Sequence, residues 1–319
     1  MFLSLLFWFG AAIGHLCVLI LILNVSHGLG IPAALFRWLA RILLVLVALA
    51  SLAPWVLLLT TSWSDWPGLV RAYAWFTFVV GVVGFPLITG LRLRRRPPGH
   101  PPDRELVVHL ANPAGADAWM GDGPHAWLLR LPGNRSLSIH YIEYPIEIPG
   151  LPRALEGFSI LHLSDFHFSR AYSRAFFERS VLEAVHLGTG HDLVVFTGDL
   201  IDDMNTVPWT ASVLGQVRGR HGQFSVLGNH DYRHQPELIR AALADAGFQD
   251  LEGRWTQLHV PGGPADRPGE IALGGTAFPW GPVPPMDPPP RADLRILLAH
   301  SPDLFPRAAR AGIELVLSG

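Results

Sequence analysis

The stretch "FSILHLSDFHFS", Phe158 to Ser169, is a short apolar run that ends by presenting an aspartate and a histidine two residues apart. An apolar run of this length between polar residues predicts a strand buried in a core. Such a strand has no packing reason to finish on a carboxylate and an imidazole, so its end is predicted to serve chemistry. Three later runs repeat the design. "LVVFTGDLIDD" delivers Asp199, Asp202 and Asp203, "FSVLGNHD" delivers Asn229, His230 and Asp231, and "ILLAHSPD" delivers His300.

Strands are predicted near Ser159–Ser164, Leu193–Thr197, Gln223–Leu227, Ile271–Gly274 and Arg295–Ala299. Helices are predicted near Ser173–His186, Val207–Val217, Pro236–Ala246 and Pro302–Ala311. Strands alternating with helices predict an α/β core, and chemistry in such folds gathers where strands end and loops begin. Taken singly, Asp-x-His, Gly-Asp and Gly-Asn-His are ordinary turns, and the histidine of "LLAH" is an ordinary core or surface side chain. Four such signals at successive strand ends predict a metal site. Carboxylate oxygens and neutral imidazole nitrogens suit zinc, manganese or iron, and Asn229 adds a neutral carbonyl oxygen. Asp203 and Asp231 read as helix caps or loop carboxylates.

"SDFH", "TGDLIDD", "LGNHDY" and "LLAHSPD" resemble four of the five blocks of the calcineurin-like metallophosphoesterases, in particular the bacterial membrane-associated YaeI/YkuE-like phosphodiesterase branch. The resemblance runs from about Glu147 to Gly319. It implies a four-layer αββα sandwich and two divalent metal ions (Mn, Zn or Fe). Asp165 and His167 would hold the first ion, Asp199 would bridge both, and Asn229 and His300 would hold the second. His230 would act as general acid, with Asp202 orienting it. The substrate would be a phosphate ester, with the bond cleaved a phosphodiester or pyrophosphate, and a lipid-linked molecule such as UDP-diacylglucosamine is one candidate. The fifth block of the family, Gly-His-Thr-His after a strand, is met here only by "IELVLSG". The expectation is therefore a C-terminally truncated domain lacking one histidine from each metal site, with little turnover of its own. The alternative, for a chain that ends there by nature, is a non-catalytic membrane protein that binds a metal or partner.

Half of the 319 residues are hydrophobic, and the mean hydropathy is +0.30. The excess lies at one end, in apolar stretches at about Phe2–Leu23, Ile42–Thr60 and Val70–Leu91. Each is close to the ~20 residues that span a bilayer, so three transmembrane helices are predicted before the α/β domain. No positive charge precedes the first stretch, which argues against a cleaved signal peptide. Arg37 and Arg41 follow the first stretch and "LRLRRRPP" follows the third, while Trp63 and Trp66 suit the opposite interface. The excess of arginine on one side predicts a multi-pass protein of the cell (inner) membrane with its catalytic domain in the cytoplasm. No acidic residue lies within the spans and His15 is the one internal ionisable candidate, away from the span ends, which disfavours a transporter.

The expected organisation is a membrane domain at 1–93, an Arg/Pro-rich linker at 94–104, a lead-in at 105–149 and the incomplete metallophosphoesterase domain at 150–319. Residues 97–319 carry 17 Arg against 25 Asp and Glu, and the chain has no lysine. This acidic balance removes the basic footprint that nucleic acid requires. The single cysteine, Cys17, excludes a disulfide framework and a cysteine-rich zinc site.

Overall fold

The computed structural model describes residues 2–28, 62–94, 104–110, 115–186, 190–263, 266–287 and 289–319, with isolated positions between 38 and 60. They belong to two compact units, Met1–Gly99 and His100–Gly319.

In the first unit, α1 (Phe2–Gly28) packs against α2 (Gly68–Val79), which continues through a π-helical turn at Val80–Gly84 into α3 (Phe85–Arg94). Glycine makes the approach possible. A Cβ on Gly14 would lie 1.7 Å from the Thr77 carbonyl oxygen, and one on Gly81 would lie 2.0 Å from that of Gly10. Such small-residue seams are how helices approach closely in lipid, where apolar burial gives little drive between them. Phe7, Trp8, Trp63, Trp66 and Phe78 cluster at one end of the seam. Among the described residues, the run Gly68–Leu91, 24 residues with mean hydropathy 1.9, is long and apolar enough to cross a membrane. Leu6–Ile22 forms a shorter apolar helical run. The predicted second span, Ile42–Thr60, lies outside the described residues apart from isolated positions, as does most of the predicted linker.

The second unit opens with an antiparallel ribbon of β1 (Arg104–His109) and β2 (Ser138–Glu143). This ribbon occupies the stretch expected only to be a lead-in. One of its faces packs on the core through Val108 and Ile139, and Tyr141 donates to the Ser180 carbonyl at 2.8 Å. A fully parallel sheet follows in the order β3 (Ile160–Leu163), β4 (Leu193–Phe196), β5 (Gln223–Ser225) and β6 (Gln249–Asp250). Its connections carry α4 (Arg174–His186), α5 (Trp209–Leu214), α6 (Asn229–Arg233) and α7 (Pro236–Asp245). A second four-stranded sheet contains β7 (Trp255–Val260), β8 (Gly269–Thr276), β9 (Leu294–Ala299) and β10 (Leu315–Ser318). Within it β7 runs antiparallel to β8, and the remaining pairs are parallel. The helix α8 (Phe305–Arg310) connects β9 to β10.

Side-chain alternation builds the layers, since successive residues of a strand face opposite sides. Val194 and Phe196 of β4 join Phe177, Val213 and Ile239 from the helices. Leu193 and Val195 of the same strand instead meet Ile271, Leu273, Ile296 and Leu298 of the second sheet. Leu297 and Ala299 of β9 point away from that interface toward Leu304, Ala308 and Ile313. The result is helices, sheet, sheet, helix. Every predicted strand and helix of the α/β part has a counterpart, with ends shifted by a few residues. The elements not foreseen are β1, β6, β7 and the single-turn helix α6.

Candidate metal centre

The carboxyl ends of β3, β4, β5 and β9 converge, and each delivers the side chains that the strand-end pattern singled out. After β3 the chain does not coil freely. Asp165 N–H donates to the Gly198 carbonyl at 2.9 Å and His167 N–H to the Asp199 carbonyl at 3.0 Å, so this loop runs alongside the one after β4. Asp165, His167 and Asp199 all take positive φ, at 54°, 45° and 57°.

Asp199 stands at the centre and is 3% exposed. Its Oδ2 lies 3.7 Å from His167 Nε2 on one side and 3.4 Å from His300 Nε2 on the other. Its Oδ1 accepts the His230 backbone N–H at 2.7 Å. Ligand atoms of Asp165, His167 and Asp199 all lie within 4.8 Å of one another. On the far side, His300 Nε2 is 3.0 Å from Asn229 Oδ1. Its Nδ1 is fixed by the Thr197 carbonyl at 2.8 Å, which leaves Nε2 to face the centre. Two donor sets therefore share one carboxylate. Hard and borderline donors in this arrangement fit divalent ions such as Mn, Zn or Fe.

Asp202 is brought between two imidazoles. Its Oδ1 is 2.6 Å from His230 Nδ1 and 3.1 Å from His167 Nδ1. Burial pushes this carboxyl up, but the hydrogen bonds from His167 and His230 outweigh it, and the group is held well below the usual carboxylate range. The hydrogen bonds of His167 to Asp165 and Asp202 in turn push its imidazole up to about 10, against the opposing effect of burial. Burial alone would lower His300, but the Asp199 carboxylate reverses the shift and raises it.

Asp203 caps the turn at Met204–Thr206 by accepting the Asn205 N–H at 3.0 Å. Asp231 does more than cap α6. It is fully buried and accepts the N–H groups of Asp199, Leu200, Ile201 and Gly228 at 2.9, 2.9, 3.2 and 2.9 Å. One carboxylate thus ties the loop after β4 to the loop after β5. Burial pushes it up to about 6 while these N–H groups pull the other way. Gly228 is required by contact, because a Cβ there would lie 2.2 Å from Asp199 Oδ1. The strand-end pattern singled out these side chains but missed this framing by Asp231, Thr197 and Gly228, most of whose partners lie about 30 residues or more away in sequence. Beyond His300, β10 brings Gly319 to the same place, where its N–H donates to the His300 carbonyl at 3.1 Å.

The family model for calcineurin-like phosphoesterases matches residues 158–313. An uncharacterised metallophosphoesterase of Aquifex aeolicus is 30% identical over 184 residues, which cover 56% of this chain and 67% of that protein. The chain belongs to the calcineurin-like metallophosphoesterases. A zebrafish (Danio rerio) "transmembrane protein with metallophosphoesterase domain" is 31% identical over 207 residues, covering 56% of this chain and 43% of that protein. The uncharacterised metallophosphoesterase YkuE of Bacillus subtilis is 31% identical over 122 residues, 35% of this chain and 41% of that relative. The chain thus spans less than half the length of two of these three relatives. The metallophosphoesterase domain holds the strand-end donors, and the family generally binds two divalent metals.

Proposed function

We propose that this chain is a membrane-anchored phosphoesterase that uses two divalent ions to hydrolyse a phosphodiester or pyrophosphate bond. The observation that carries the reading is Asp199, a nearly buried carboxylate set between His167 and His300 with a separate donor set on each side. Asp165, His167 and Asp199 would hold the first ion, and Asp199, Asn229 and His300 the second. Bound there, the ions would neutralise phosphate charge and lower the pKa of a water, so that hydroxide is available near neutral pH. His230 would protonate the leaving oxygen through Nε2, a role supported by Asp202 engaging its Nδ1. Asp202 also fixes the ring of His167 so that its Nε2 faces Asp165 and Asp199.

The apolar run Gly68–Leu91 and the zebrafish relative's name support membrane anchoring. In this reading the domain faces the cytoplasm, and anchoring favours a substrate at the membrane surface, such as a lipid-linked pyrophosphate. The test is hydrolysis of bis(p-nitrophenyl) phosphate with Mn²⁺ by the protein expressed from its complete reading frame. His230→Ala is expected to lower kcat by about 10²–10⁴-fold while Mn²⁺ uptake persists. An unchanged kcat would overturn the role of His230. Wild-type uptake of two ions without any hydrolysis would favour the binding protein over the enzyme.

A further inference from the structure

Glu252 follows β6 and has no place in the strand-end pattern, yet its side chain is only 2% exposed and both oxygens are engaged. Its Oε1 accepts the Leu227 N–H at 2.9 Å. Its Oε2 accepts the Tyr232 hydroxyl at 2.6 Å and Arg240 Nη2 at 2.7 Å. Arg240 Nη2 also donates to the Tyr232 oxygen at 2.9 Å, and the guanidinium lies 5.6 Å from the centre of the Tyr232 ring. From the other side Gly281 closes in, where a Cβ would come within 2.5 Å of the Tyr232 hydroxyl and 2.9 Å of Glu252 Oε2.

The two ends that Glu252 grips, Leu227 and Tyr232, bracket Asn229 and His230. The intervening helix, Asn229–Arg233, is a single turn, too short to hold its shape without tertiary support. Fixing both ends of so short a segment fixes what lies between. We infer that Glu252 is a positioning residue: by clasping Leu227 and Tyr232 it sets Asn229 against His300 and His230 against Asp202. This rests on the phosphoesterase reading for its consequence in catalysis, while the clasp itself acts on the backbone and on metal uptake. Arg240 supplies the cation that a buried carboxylate needs.

The test compares the protein expressed from its complete reading frame with its Glu252→Gln and Tyr232→Phe variants, which nearly conserve volume, in three measurements: amide hydrogen exchange, calorimetric titration with Mn²⁺ alone, and hydrolysis of bis(p-nitrophenyl) phosphate. Both variants are expected to exchange faster at residues 227–232 while β8 and β9 keep their protection. Mn²⁺ binding at the second site weakens by about tenfold, and kcat falls while KM stays unchanged. Wild-type exchange at 227–232, or a loss of protection spread evenly over both sheets, would overturn the inference. If the wild type hydrolyses nothing but the variants still loosen 227–232 and weaken Mn²⁺ binding, the clasp stands and the phosphoesterase reading falls. If the wild type takes up no Mn²⁺, that reading falls as well and the exchange pattern alone decides the clasp.

Discussion

Asp165, His167 and Asp199 hold positive φ, a conformation that costs a side-chain-bearing residue of order 1–3 kcal/mol. The cost is sustained by the neighbouring backbone, with the loops after β3 and β4 hydrogen-bonded to each other and the loop after β4 bonded to Asp231 as well. Strain gathered on three donors of one centre is a mark of preorganisation for a ligand. The charge balance carries a second consequence. His167 is pushed up to about 10 by its carboxylate partners, so without metal it keeps its proton at neutral pH. In the proposed role as a metal ligand His167 would need a neutral ring, so binding would release that proton. Affinity at the first site is expected to rise with pH at all values below about 10. Calorimetry of Mn²⁺ binding in buffers of different ionisation enthalpy should show about one proton released per ion at this site near pH 7. Binding without proton release would mean that the imidazole is already neutral.

At the scale of elements, the centre is made by the carboxyl ends of β3, β4, β5 and β9 and by the short loops that leave them. Their closeness depends on glycine where backbone meets side chain. Gly228→Ala would drive a Cβ into Asp199 Oδ1, and the loop after β5 would have to withdraw. The expected result is a loss of about 1–3 kcal/mol in stability, typical of overpacking, together with a larger loss of Mn²⁺ affinity. Thermal unfolding and Mn²⁺ titration check this together. Wild-type Mn²⁺ affinity in the variant would show that the loop can move without disturbing Asp199. Helix α6 gives the contrasting case, since its sequence has no long apolar period and its single turn is held by Asp231 and Glu252.

For the whole molecule, the sequence places apolar, helix-forming chain before an acidic α/β domain. Gly68–Leu91 satisfies the length and apolarity for crossing a bilayer. The full chain is therefore expected to remain in the membrane pellet after alkaline carbonate extraction. Its appearance in the supernatant would reduce the apolar unit to a peripheral role.

The sequence by itself determined the order of the α/β elements and which polar side chains fall at their strand ends. A buried strand is legible as a short apolar run, and a donor at its end interrupts that run within two or three residues, so the signal for Asp165, His167, Asp199, Asn229, His230 and His300 is local. Tertiary structure alone decided how those groups are held. The pairing of Asp202 with His230 was implied by the resemblance, but Asp202 also meets His167 across 35 positions, Asp231 reaches Asp199 across 32, and Glu252 reaches Leu227 across 25. The strands β6 and β7 and the β1–β2 ribbon likewise take their form from pairing partners more than from their own pattern. A carboxylate that binds backbone N–H groups looks in sequence like any loop aspartate or glutamate. Its role exists only once folding has brought two distant loops to the same side chain.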